Sequence, residues 1–155
     1  MRRIRNRQQN PFIRNSGRIK MKHEQILKGI LRELTVNAEL ISAEELERFA
    51  EVLCDAKHIF VAGAGFAARA FSNRLMHLGL EVFFVGEPTT PAIGSEDVLV
   101  IGSGSGETGS LVGMAEKAKR LGAKIVTLTI HPEASIGKMA QACITIPGAT
   151  PKSGL

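Results

Sequence analysis

Five short apolar runs, separated by stretches with helical spacing, do most to limit what this chain can fold into. They occupy 58–62, 81–85, 97–101, 124–130 and 142–146. A strand with one wet face alternates apolar and polar residues, whereas these runs are nearly continuous in Val, Ile, Leu, Phe and Ala. They therefore read as strands covered on both faces. Helices are expected from about Phe66 to Leu78, stopped by Gly79, and from about Glu107 to Leu121, closed by Gly122. A short one is expected over roughly 134–141. Strand and helix in alternation call for an α/β fold, a doubly wound parallel sheet with right-handed crossovers and helices on both faces. Two further helices precede the first strand. One starts near Met21, with Ile26, Leu27, Ile30, Leu31 and Leu34 on one apolar face. The other starts at Ser42, where Ser42-Ala43-Glu44-Glu45 has capping-box spacing, with Leu46, Phe49, Ala50 and Leu53 as its buried stripe.

In such a sheet ligands bind outside the carboxyl ends of the strands, and two glycine loops fall there. In Ser103-Gly104-Ser105-Gly106-Glu107-Thr108 the glycines allow close backbone approach and Ser103, Ser105 and Thr108 supply hydroxyls. The following helix directs free amides and its positive dipole end at an anion. The loop lacks the Gly-Lys-Ser/Thr ending of a Walker loop. Glu107 has two readings, a carboxylate favoured by a helix start or a base beside a ligand. The other loop, Gly63-Ala64-Gly65-Phe66-Ala67-Ala68, fits G-x-G-x-x-A, and Glu87 follows Gly65 at a distance suited to a ribose hydroxyl. A NAD-binding reading through Gly63, Gly65 and Ala68 thus stays open. His131, ahead of Pro132-Glu133, is on the same rim, either as an acid–base group or as a turn residue. His77 reads as a cation closing its helix.

The chain's formal charge of +5 suggests a polyanion partner until it is located. Seven basic residues and no acid fall in positions 1–20, leaving 13 basic and 15 acidic residues in 21–155. The body is therefore not basic, and no nucleic-acid partner is expected. Residues 1–20 are expected to form a disordered basic leader, 21–150 the folded domain, and 151–155 a tail. No apolar run nears the roughly 18 residues of a membrane span, and no secretory h-region is present. Cys54 and Cys143 lie in apolar segments and read as buried thiols in a reducing, cytoplasmic setting, neither metal ligands nor a disulfide.

Taken together, Arg74-Leu75-Met76-His77-Leu78-Gly79, Val85 through Pro91, Ile101 through Thr108 and Leu128 through Lys138 resemble the 6-phospho-3-hexuloisomerases. These belong to the sugar isomerase (SIS) domain superfamily. The resemblance runs from about Met21 to Pro147. It implies a flavodoxin-like five-stranded sheet, a homotetramer, no cofactor and no metal. It also implies conversion of 3-hexulose 6-phosphate to fructose 6-phosphate in the ribulose monophosphate pathway of formaldehyde fixation. Carried over, Ser103, Ser105 and Thr108 hold the substrate phosphate, with Gly104, Gly106 and the Glu107 amide completing the cradle. Gly63, Gly65, Glu87 and His131 are candidate substrate contacts. The chain lacks the Arg-Ser-Gly that follows the first glycine loop in the family. The family's base and a histidine fall in a C-terminal segment with no matching positions here, so no catalytic residue is assigned. Turnover by the isolated chain is not expected, and an apolar patch should be exposed on one face of the sheet. A non-catalytic sugar-phosphate-sensing domain is the alternative.

Overall fold

The computed structural model describes residues 23–63 and 65–148. The expected basic leader at 1–20 and the tail at 151–155 lie outside the described residues. The chain divides into two compact units, 1–38 and 39–155. Helix α1, His23–Leu40, accounts for the described part of the first unit. Its stripe of Ile26, Leu27, Ile30, Leu31 and Leu34 is exposed throughout.

In the second unit, helix α2 covers Ala43–Cys54. It is followed by β1 (Ile59–Gly63), α3 (Phe66–His77), β2 (Val82–Phe84) and β3 (Val98–Gly102). Then come α4 (Gly109–Arg120), β4 (Lys124–Thr129), α5 (Ser135–Met139) and β5 (Ala142–Thr145). The strands form one wholly parallel sheet in the order β2-β1-β3-β4-β5. This is the doubly wound arrangement expected from the sequence. Alternate strand residues feed two cores. Ile59, Val61, Val98, Val100 and Val126 pack with Phe49, Leu53 and Leu75 of α2 and α3. Phe60, Ala62, Leu99, Ile101 and Ile125 pack with Leu111, Ala115 and Ile136 of α4 and α5. Full burial of each large side chain contributes about 1.5–3 kcal/mol, so this two-sided sheet dominates the stability of the unit.

Three expectations need correction. The buried stripe of α2 is Phe49 and Leu53, with Val52 partly buried, while Leu46 and Ala50 are exposed. The Ser42 hydroxyl accepts from the Glu45 amide at 3.3 Å, as a capping box requires, but the Glu45 carboxylate does not return to Ser42. It accepts instead from the amide and hydroxyl of Thr145, at 2.8 and 3.0 Å, capping the edge strand β5. Leu46 falls on nearly the same side of the helix as Leu53 but is a full two turns from it, at the exposed N-terminal end. Second, Cys54 is exposed, because it is one residue past Leu53 and so about 100° around the helix from the buried face. Cys143 is partly buried, and desolvation, followed by the nearby Glu45, pushes its thiol pKa up. Third, α4 starts at Gly109 rather than near Glu107, and α5 has five residues rather than eight. No helix among the described residues is long and apolar enough to cross a membrane.

Candidate functional site

The carboxyl ends of β1 and β3 set the geometry of the site. Gly63 and Gly102 end these neighbouring strands and are register partners. Beyond Gly102 the chain takes six residues, 103–108, before α4 begins, and those six are the predicted anion loop.

The loop is partly self-satisfied and partly open. The buried Ser103 hydroxyl accepts from the Gly106 amide at 3.2 Å, and the Ser105 hydroxyl accepts from the Glu107 amide at 3.3 Å. Thr108 occupies the N-cap of α4, yet its side chain makes no capping bond, and its hydroxyl is 3.5 Å from that of Ser103. The amides of Gly104, Ser105, Thr108 and Gly109 have no acceptor among the described residues. Gly104 and Gly109 are exposed, and Ser105 and Thr108 half-buried. Unpaired donors at a helix start, with the dipole's positive end behind them, attract an anion.

A second layer holds this loop from below. The Gly104 carbonyl accepts from the Ile130 amide at 3.1 Å and from the Thr129 hydroxyl at 3.2 Å. Thr129 is fully buried, and its Oγ1 in turn accepts from the His131 amide at 3.1 Å. The Gly106 carbonyl accepts from the Ile136 amide at 3.2 Å, and the Glu107 carboxylate from the Ser135 amide at 2.7 Å. Gly106 has φ +63, and a Cβ there would lie 2.6 Å from the Ala134 Cβ. Only glycine fits both constraints. Thr129 and Ser135 were not singled out from sequence. Their partners are 25 and 28 positions away, so no local pattern marks them.

The remaining predicted residues are placed differently. Gly63 is a packing glycine: a Cβ would meet the Ala68 Cβ at 2.7 Å and the Gly102 carbonyl oxygen at 3.2 Å. Gly65 is the N-cap of α3 with φ +98 and ψ −174, a region almost confined to glycine. Glu87 is paired with Arg69 of α3, whose guanidinium also lies 4.2 Å over the Phe84 ring. This ion pair ties the end of β2 to α3. Arg69 carried no sequence signal, since its partners sit at the end of the next strand. His131 Nδ1 is 3.2 Å from Glu133, and His131 contributes its backbone to the bracing of the loop. Glu107 is the one loop carboxyl with a displaced pKa. The Ser135 hydrogen bonds, backbone first, outweigh desolvation and hold it below the usual carboxylate range, with Lys138 adding to the effect.

Two hollows flank the loop. One of about 160 Å³ lies on the α4 face, between Ala62, Gly63 and Val85 on one side and Thr108, Ser110 and Met114 on the other. The other, of about 350 Å³, opens on the α3 face beneath Ser103 and Gly104 and is lined by Val61, Ala68, Phe71 and Leu128. No cluster of metal-ligating side chains occurs among the described residues.

A family model for the SIS domain matches residues 52–154, two-thirds of the chain and all of the sheet. The chain belongs to the SIS domain family. Within that family it is related to the 3-hexulose-6-phosphate isomerases. A Bacillus subtilis protein of that name is 45% identical over 132 residues, covering 83% of this chain and 71% of the relative. A Mycobacterium gastri protein of the same name is 38% identical over 120 residues, covering 76% and 60%. The crystal structure of a Methanococcus jannaschii protein, from which a 3-hexulose-6-phosphate isomerase function was inferred, superimposes with a TM-score of 0.65 at 34% identity. It covers 70% of this chain and 63% of its own. Across the first four curated relatives, this chain spans 60–71% of their length.

Proposed function

We propose that this SIS domain binds a phosphorylated sugar, with the phosphate held by Ser103, Ser105, Thr108 and the amides of Gly104, Ser105, Thr108 and Gly109, while the Gly106 and Glu107 amides, expected from sequence to join them, are bonded within the loop. The observation that carries the reading is the set of unpaired amides at Gly104, Ser105, Thr108 and Gly109, beside a Thr108 hydroxyl that makes no capping bond, on a partly exposed loop where β3 meets α4. A phosphate dianion offers that set more acceptors than a neutral ligand could, and hydrogen bonds to charged groups contribute about 1.5–3 kcal/mol each. The relatives supply the sugar class. Proteins named 3-hexulose-6-phosphate isomerase stand at 36–45% identity, and the chain carries the loop through which the phosphate would bind.

In the isomerase reaction a carbonyl moves between C3 and C2 of the hexulose 6-phosphate through an enediolate, giving fructose 6-phosphate. The role of the described residues is to hold the phosphate end still, so that the reacting carbons keep a fixed distance from the proton-transferring group. Glu107 accepts from the Ser135 amide, which gives it a role in holding the loop, and no proton-transferring group is assigned among the described residues. We place the reaction in the ribulose monophosphate pathway, in the cytoplasm, within a homotetramer. The exposed stripe of Leu27, Leu31 and Leu34 on α1 suits association between copies.

Titration calorimetry with fructose 6-phosphate and with NAD, followed by a coupled isomerase assay, tests the reading. Sugar-phosphate binding that competes with inorganic phosphate is expected. NAD binding without a sugar-phosphate response would overturn it.

A further inference from the structure

A carboxylate in an anion-binding loop is an electrostatic liability, and Glu107 is the single charged side chain between Gly102 and Gly109. The structure shows where that charge is sent. The Glu107 carboxylate accepts a 2.7 Å hydrogen bond from the Ser135 amide, at the first residue of α5, and from none of the open amides of the loop. One residue earlier, the Gly106 carbonyl accepts from the Ile136 amide at 3.2 Å, and Ala134 closes the space beneath Gly106. Residues 106–107 are thus joined to 134–136 by two parallel bonds. A helix of five residues has little cohesion of its own, so its start is fixed by this joint as much as it fixes the loop.

We infer that Glu107 is a positioning residue: its bond to Ser135 locks the phosphate loop with its amides facing outward and carries its own negative charge away from the ligand. The inference rests on the phosphate-binding reading of the same loop. Three consequences separate it from a base or a bystander. Gln retains an acceptor for the Ser135 amide and removes the charge. Asp retains the charge but is one methylene too short to reach. Ala removes both.

Calorimetry of the full chain with inorganic phosphate and with fructose 6-phosphate, alongside thermal denaturation, decides between them. Glu107→Ala and Glu107→Asp should each weaken both ligands roughly tenfold, the loss of about one charge-assisted hydrogen bond's worth of ordering. Glu107→Gln should bind at least as tightly as the wild type. The amide resonance of Ser135 should move in Glu107→Ala and remain near its native position in Glu107→Gln. Equal affinity in wild type and Glu107→Ala would overturn the positioning role alone, as would a Glu107→Gln variant as weak as Glu107→Ala. A wild-type chain that binds neither ligand would overturn both this inference and the phosphate-binding reading.

Discussion

Two glycine loops leave neighbouring strands at the same level of one sheet, and they could hardly be more different in construction. The first, after β1, spends its glycines on packing. Gly63 lets Ala68 and the Gly102 carbonyl approach, and Gly65 makes the tight entry into α3. No residue from 63 to 68 carries a hydroxyl. The second, after β3, has six residues before its helix, carries three hydroxyls, of which those of Ser105 and Thr108 are half-exposed, and is tied underneath by residues 129–136. Glycine content therefore does not distinguish the proposed anion loop from a tight turn. What distinguishes them is room between strand end and helix start, together with a second layer that holds the backbone open.

The sharpest break of this comparison is Ser105→Ala with Thr108→Ala. Each hydroxyl lost from a phosphate should cost about 1.5–3 kcal/mol of binding, so the double variant should lose sugar-phosphate affinity by at least two orders of magnitude. Thermal stability should change little, because neither hydroxyl is deeply buried. Calorimetry and melting of the same samples read both. Undiminished affinity would mean that the second loop is only a connector, as the first is.

A smaller effect is expected from glycine exchange at matched positions. Gly106→Ala and Gly65→Ala both force a side chain into a disfavoured backbone region, at a cost of about 1–3 kcal/mol each. Gly106→Ala also drives its Cβ into Ala134, whereas nothing lies within 4 Å of a Cβ at Gly65. Both should melt at lower temperature. Gly106→Ala should also lose phosphate binding, whereas Gly65→Ala should retain it. Loss of binding in both variants would erase the distinction between the loops.

The least effect is one of pH. Glu107 is held below the usual carboxylate range by its bonds to Ser135. A lowered pKa in the folded state means that the tie is at full strength above the unfolded carboxyl's pKa and is lost as pH falls through the folded one. The Ser135 amide resonance should thus remain still through the range in which exposed carboxylates titrate and move only at lower pH. Amides of the first loop, which has no ionisable side chain, should not follow it. A Ser135 midpoint at the ordinary carboxylate value would contradict the tie.

Much of the sheet was legible in the sequence because strands buried on both faces must be apolar at every position. All five strands lie within a residue or two of their expected limits. Single-faced helices were read less well. Apolar spacing alone admitted Leu46 to the α2 stripe, yet it is exposed at the first turns of the helix, where the neighbouring Glu45 reaches Thr145, 100 positions away. Cys54 was misjudged for a similar reason, since an apolar neighbourhood in sequence does not say which side of a helix a residue occupies. At the site, the hydroxyls and glycines of 103–108 announce themselves because they are contiguous. Thr129 and Ser135 do not, because contacts between β4, α5 and the loop form only once the sheet has brought distant segments together.

The account turns on whether amides at one turn receive a phosphate oxygen. The most direct measurement is a ¹H–¹⁵N titration of the chain with inorganic phosphate. The largest saturable shifts should fall on Gly104, Ser105, Thr108 and Gly109, with Phe66 and Ala67 scarcely moving. Shifts centred on the first loop, or none that saturate, would contradict it.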